Sequence, residues 1–503
     1  MGVIQRQGFK YSIINFIGVG IGILSVLFIY PNALEVVGLF RSLFDASVLA
    51  TIVVLLGSPT SAVRFFPKYQ DPESSHRGLL SWLLIVYSTG FLLFLFFFPF
   101  LHQLISKYIF HERNRIFSDF IIYIIPLTFC IGLINLLARY ISNFRRIVIP
   151  SAFENLTIKI ALPVIIFIYL KGWIGVQGVV IWVVISYILA TIGMTAYLYK
   201  LGQYRLTRPE ILHDRPALKE YSKFSWYSLL SGIGSQIAFR IDGIMVASKI
   251  EFHASGLYAV SWAISDVIAK PMRALLAISG PIISEHMEAG KLDEVDTLYK
   301  KSSLNMTIIG LGLFLLIWSV LPFIFEIMPN TAEMKKGALV VFFLGLAQVW
   351  DMMTGLNSEI IMYSKYYRFN LYLTLFLAVT NFLANLVLID QYGITGAAMA
   401  TCFSFFLYNV IKFLFIKIKF GFQPFSVMLI PVIAFGIGAW FVCYWLSNTS
   451  NPWINMFYKG ALFSLLYGLA IWKFKLSPDI NQWISLAYVK GMERWRGGKQ
   501  KSE

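Results

Sequence analysis

Runs of about twenty predominantly apolar residues, each long enough to cross a bilayer as a helix, follow one another along almost the whole chain. A soluble core cannot absorb so much apolar surface. Of the 503 residues, 58% are hydrophobic and only 14% charged, far from soluble composition. The pattern predicts an all-α polytopic membrane protein with fourteen transmembrane helices near 10–30, 38–65, 79–105, 117–142, 151–170, 175–199, 220–248, 254–284, 301–326, 335–363, 367–389, 394–416, 424–446 and 454–474. The run from Tyr11 to Tyr30 is expected to be the first span rather than a cleaved leader, because it is long enough to cross and no small-residue cleavage site leads into a soluble domain.

Fourteen crossings place both termini on one side, and the basic residues indicate which. With the N-terminus inside, twenty-nine lysines and arginines fall in cytoplasmic segments and eight in outer loops, Lys412 being counted inside and Lys459 outside. The remaining five, Arg41, Lys159, Arg240, Lys270 and Arg273, fall within spans. Membrane orientation therefore accounts for the net charge of +16 without nucleic-acid binding. In the tail, Ile484, Tyr488, Met492 and Trp495 form an apolar stripe beside Lys490, Arg494 and Arg496, a pattern that fits a helix lying on the cytoplasmic surface or a loosely ordered basic tail.

Gly175–Gly178 and Gly393–Gly396 open helices six and twelve at a separation of 218 positions, and Gly38 and Gly256 open helices two and eight at the same separation. Two matches at one offset predict duplicated lobes, parallel repeats related by an axis along the membrane normal. Pro59 and Pro281 also correspond if a few residues are inserted, each near a helix end after small residues. The expected organisation is an N-terminal lobe over 1–199, a cytoplasmic linker over 200–219, a C-terminal lobe over 220–418, two additional helices over 419–475 and a basic tail over 476–503, with the two six-helix lobes around a central cavity. Glycines 18, 20 and 22 and the segment Ser231–Ser235 occupy equivalent helices, where small residues serve close packing or bending.

Charge inside a spanning helix is costly and marks candidate function. Arg240 and Asp242 interrupt an apolar segment, and Asp266, Lys270 and Arg273 share one helical face. Arg41 with Asp45, and Asp266 with Lys270, have the spacing of self-contained pairs, so mutual neutralisation and substrate contact both remain open for them. Arg240, Arg273 and Lys159 have no evident partner in the sequence and are expected to face substrate. The candidates for binding an anionic group, a diphosphate above all, are thus Arg240, Arg273, Lys270, Arg41 and Lys159. The candidates for binding a coupling ion, H+ or Na+, are Asp242, Asp266, Asp351 and Asp45. Cys130, Cys402 and Cys443 lie singly in apolar helices, and the six histidines have no metal-ligand spacing. No metal, cofactor or catalytic site is expected.

The segments Arg240–Val246, Ala254–Val260, Gly280–Ser284 and Lys291–Ser302, together with the two Gly-x-x-Gly turns, resemble the polysaccharide-unit flippases of the multidrug/oligosaccharidyl-lipid/polysaccharide (MOP) exporter superfamily, over essentially the whole chain. The resemblance implies a monomer in the inner or plasma membrane with both termini cytoplasmic. It implies two lobes in a V and alternating access that carries an undecaprenyl-diphosphate-linked oligosaccharide outward, driven by an ion gradient. The pathway would be capsule or O-antigen synthesis, with its glycosyltransferases and polymerase as partners. A peptidoglycan-precursor flippase of the same superfamily stays open, because helices thirteen and fourteen resemble the lipid-side groove of those proteins. A cation-coupled multidrug exporter is the other alternative, disfavoured because residues 10–30 contain no Asp or Glu. An enzyme of the pathway is disfavoured by the short loops.

Overall fold

The computed structural model describes residues 17–71, 75–104, 119–144, 146 and 148–482. The tail stripe from Ile484 to Trp495 and the first seven residues of the expected first span lie outside the described residues. The regular structure described is helical throughout, as lipid demands, since a helix satisfies its backbone groups within one segment. Among the described residues, ten helices are long and apolar enough to cross a membrane, and three shorter apolar helices accompany them.

In chain order the main helices are α1 (Ile17–Asn32), α2 (Leu34–Leu55), α3 (Ser58–Tyr69), α4 (Leu79–Leu104), α5 (Ile124–Ser142) and α6 (Val148–Leu170). There follow α7 (Val176–Lys200), α8 (Arg215–Lys249), α9 (Phe252–Glu288), α10 (Leu292–Ile327), α11 (Ala338–Met353), α12 (Asn357–Met362), α13 (Tyr367–Phe420), α14 (Leu429–Trp445) and α15 (Pro452–Lys473). Helix α8 starts where Asp214 accepts a hydrogen bond from the Ala217 amide at 3.0 Å and Pro216 occupies its first turn, a combination that caps the free N–H groups.

Two expected helices are broken. The second span ends at Leu55 because Leu56 and Gly57 are both left-handed, and Pro59 then opens α3. Pro281, its expected counterpart, lies inside α9 without ending it. The tenth span is likewise interrupted between Met353 and Asn357, where Gly355 takes φ +59° and any side chain would press on Ser302 and Ser303. Asp351 is therefore in the last turn of α11 rather than mid-helix.

Helix α13 contains 54 residues, about 81 Å if straight, against a hydrocarbon thickness of about 30 Å. It is not straight. Gly393 has φ 58° and ψ −135°, and a side chain at Gly396 would run into the Leu388 carbonyl, a group about 12 Å away along an unbroken helix. The chain reverses there, so two helices meet in a tight turn, as the glycine spacing predicts.

The chain groups into two compact units, residues 1–260 with 374–397, and 261–373 with 398–503. The first has a continuous core through Leu43, Leu83, Tyr140, Val183 and Ala247. In it Gly38 lies on the Phe252 carbonyl while Gly256 lies on the Leu34 carbonyl. Residues 34 and 38, increased by the offset of 218, are 252 and 256, so the contact is reciprocal between repeat-related positions. The second unit packs α14 and α15 onto α10: Gly436 meets Leu315, Gly312 meets Tyr467, and Tyr467 Oη donates to the Ile308 carbonyl at 3.0 Å. The last two helices thus share this unit's core with Phe314 and Phe463.

At Gly38 and Gly256 the obstacle is backbone, which cannot swing aside. Gly256→Leu is expected to lower stability by at least the ~1–3 kcal/mol of ordinary overpacking and to shift the protein from a monodisperse peak to aggregate in fluorescence-detected size exclusion. Gly20→Leu, which meets nothing within 4 Å, should leave the profile unchanged; equal profiles for both variants would contradict the close crossing.

Candidate functional site

In the first unit Asp45 projects from α2 and its side chain is 1% exposed. Arg41, one turn earlier, donates from Nε to Oδ2 at 2.6 Å. Arg240 on α8 donates from Nη1 to Oδ1, turns its Nε to Gln236 at 2.7 Å, and lies 5.4 Å from the Phe44 ring centroid. Both carboxylate oxygens are engaged, and the two arginine side chains are 26% and 21% exposed.

The second unit repeats the arrangement on a single helix. Asp266 accepts from Lys270 Nζ at one oxygen and from Arg273 Nη2 at the other, because residues at i, i+4 and i+7 share a helical face. The carboxylate is buried while the two cations are about half exposed. Each acid is thus clamped by two cations, and each cluster carries one net positive charge.

The expectation that Arg240 and Arg273 lack partners is therefore corrected. A guanidinium in a spanning segment needs an acceptor, and the acid that supplies it for Arg240 comes from another helix, 195 positions away. Lys159, half-buried on α6, lies beside Gly18. Lys412 and Lys459, counted with the extramembrane segments in the sequence reading, are both buried within helices.

Asp242 follows Arg240 by two residues, about 200° around the helix, and takes the opposite direction. It is buried; Oδ1 accepts from Asn381 Nδ2 at 2.8 Å and from Asn385 Nδ2 at 2.9 Å, and Oδ2 accepts from Tyr258 Oη at 3.1 Å. Asn385 Oδ1 is buried without a hydrogen-bond partner among the described residues. Sequence reading missed Asn381 and Asn385, although two amides one turn apart in the apolar run from Leu375 to Ile389 are the available signal.

A third polar group surrounds the break after α11. Asn409 Oδ1 accepts from Thr354 Oγ1 at 3.0 Å and Asn357 Nδ2 at 3.1 Å, and Lys412 Nζ donates to Ser358 Oγ at 2.5 Å above the Tyr408 ring. These side chains tie the interrupted segment to α13. No group of three or more His, Cys, Asp or Glu that could hold a metal occurs among the described residues, and the three cysteines are buried and unbridged.

Removing Asp45 would leave two cations face to face. Asp45→Ala is expected to destabilise by ~3–5 kcal/mol, the range for an orphaned buried charge, and to lower the melting temperature well below that of Arg240→Ala, which leaves the Arg41–Asp45 pair. Equal melting temperatures for the two variants in detergent would show that the clamp does not bear on stability.

The sequence family described as "Polysaccharide biosynthesis protein" matches residues 11–287. An uncharacterized membrane protein of Methanocaldococcus jannaschii is 23% identical over 404 residues, covering 76% of this chain and 91% of that protein. Among solved structures, lipid II flippase MurJ in an inward closed conformation superposes with TM-score 0.71 at 13% identity, covering 93% of this chain and 99% of the other. An inward-facing multidrug resistance MATE transporter of the MOP superfamily gives 0.61 at 14%, covering 81% and 94%. A MOP superfamily transporter from Pyrococcus furiosus, described as having a binding pocket of reverse polarity, gives 0.51 at 15%, covering 84% and 96%. With more than half of its length matched by the family model, and a fold shared with the lipid II flippase and with MOP transporters, this multi-pass membrane protein belongs to the polysaccharide biosynthesis protein family.

Proposed function

We propose that the protein is a flippase that carries a polyprenyl-diphosphate-linked oligosaccharide from the cytoplasmic to the outer face of the membrane by alternating access. The observation that carries this reading is the pair of acid-clamped cation clusters, Arg41–Asp45–Arg240 and Asp266–Lys270–Arg273, each with one positive charge in excess and its cations partly exposed. The buried acid holds the donors in place and offsets part of their charge, while the partly exposed side chains of Arg240, Lys270 and Arg273 can still turn N–H groups to phosphate oxygens, the acceptors a guanidinium binds best. Organic cations would be repelled. Counting α13 as two crossings and the three shorter apolar helices as one each, among the described residues, supports the reading of fourteen spans, and the basic residues favour both termini inside.

Coupling to an ion gradient belongs to this reading. Asp45 and Asp266 each accept from two cations, which leaves them poorly suited to a further cation. Asp242 is the better candidate, since amide and phenol donors hold it and Asn385 Oδ1 offers a second buried oxygen. Asp351 keeps a place as a half-buried acid near the helix break.

Arg240→Ala and Arg273→Ala should each reduce surface glycan by about tenfold to a hundredfold, the equivalent of one lost charge-assisted hydrogen bond, at unchanged protein level in the membrane. Normal export by both variants would rule out substrate contact by these clusters. Failure to rescue cells depleted of their own glycan flippase, together with rescue of cells depleted of the peptidoglycan-precursor flippase, would move the substrate to the cell-wall precursor. For the coupling ion, Asp242→Asn should abolish any dependence of transport in proteoliposomes on sodium or pH gradients. Gradient dependence equal to wild type in that variant would remove Asp242 from this role.

A further inference from the structure

Where α10 ends, α11 begins, and the connection between α14 and α15 turns, the second unit holds a cavity of about 400 Å³. Its walls are mostly apolar and carry the aromatic rings of Trp318, Phe323, Trp440 and Tyr444. They are fixed by their own packing, Trp318 edge-on to Phe342 with centroids at 4.9 Å and Trp440 stacked on Tyr444 at 5.6 Å. One cation lines the cavity from within. Lys459 is 4% exposed, and of its three donors one goes to the Leu446 carbonyl at 3.1 Å, with the Phe323 ring 5.3 Å away. At the rim Lys335 pairs loosely with Glu326 at 3.8 Å.

A buried ammonium with unused donors beside an apolar wall fits a ligand that is anionic at one end and apolar at the other. A sugar is a poorer match: the lining is mostly apolar, Ser319 Oγ donates to the Leu315 carbonyl, and besides the two lysines only Glu326 and Asn448 could meet its hydroxyls. We propose that this cavity binds one anionic phospholipid, its phosphate at Lys459 and Lys335 and its glycerol and acyl stem against Trp318 and Trp440. The aromatic surround and the ends of four helix segments suit the headgroup level of a bilayer, where Trp and Tyr collect. The site shares no residue with either acid-clamped cluster and does not depend on which substrate the protein carries.

The experiment presents the full-length protein, purified in detergent, with equal phosphatidylglycerol and phosphatidylcholine of matched chains, and counts retained lipid by native mass spectrometry. Wild type should retain one phosphatidylglycerol about tenfold over phosphatidylcholine, the effect of one charge-assisted contact, and Lys459→Met should bring the ratio close to one. Ala338→Trp, which fills the cavity and keeps Lys459, should remove the retained lipid, and this variant decides the matter if Lys459→Met fails to fold. Equal retention of both lipids by wild type, or an undiminished preference in Lys459→Met or Ala338→Trp, would overturn the proposal. So would thermal stabilisation by inorganic phosphate alone equal to that by phosphatidylglycerol, since that would mark a free-anion site.

Discussion

The ionic grip on Asp45 is the interaction on which the site in the first unit depends. A carboxylate 1% exposed in a spanning segment is tolerable only with strong, directed donors at both oxygens, and Arg41 and Arg240 provide them. Because the second donor comes from another helix, the same bond that neutralises the acid also fixes α8 against α2. Asp266 meets the requirement within one helix, so its cluster is local and more exposed. Charge that looks like a liability in the sequence thus becomes the means by which each unit presents a fixed, modestly positive group.

Close helix approach is the second constraint. With no hydrophobic driving force between helices in lipid, association relies on packing that small residues permit. Gly38 and Gly256 allow α2 and α9 to touch through backbone, and Gly436 and Gly312 bring α14 and α15 close against α10. In the first unit the close contact falls on α2, the helix that also carries Asp45, so packing and the placement of charge are joined. Breaks in helices fall where polar side chains can repair them, as Asn409 and Ser303 do after Met353.

Much of this was legible in the residues. Most span positions, the reversal at Gly393 and the local pairs Arg41–Asp45 and Asp266–Lys270 follow from length, hydropathy, glycine spacing and helical periodicity, which are properties of short segments; the breaks after Leu55 and Met353 do not. The partner of Arg240 was not legible, because nothing local connects positions 45 and 240. Asn381 and Asn385 went unnoticed for a related reason: neutral amides do not stand out by charge, and their importance appears only once Asp242 faces them. Lys412 and Lys459 were misplaced because a lysine near the end of an apolar run can snorkel outward or be buried under a neighbour, and the neighbour decides.

By itself, then, the sequence determined that this chain must live in a membrane as a set of helices, which side its basic segments favour, and which few charges those helices have to accommodate. Hydropathy and backbone hydrogen bonding act within a span, so they can be read from it. Only the tertiary structure decided which charge answers which, that Arg240 and Arg273 are held by acids rather than left open, and that Asp242 turns away from Arg240 toward two amides. Coulombic and hydrogen-bond partners are chosen by distance in space, and helix crossings set that distance between residues far apart along the chain.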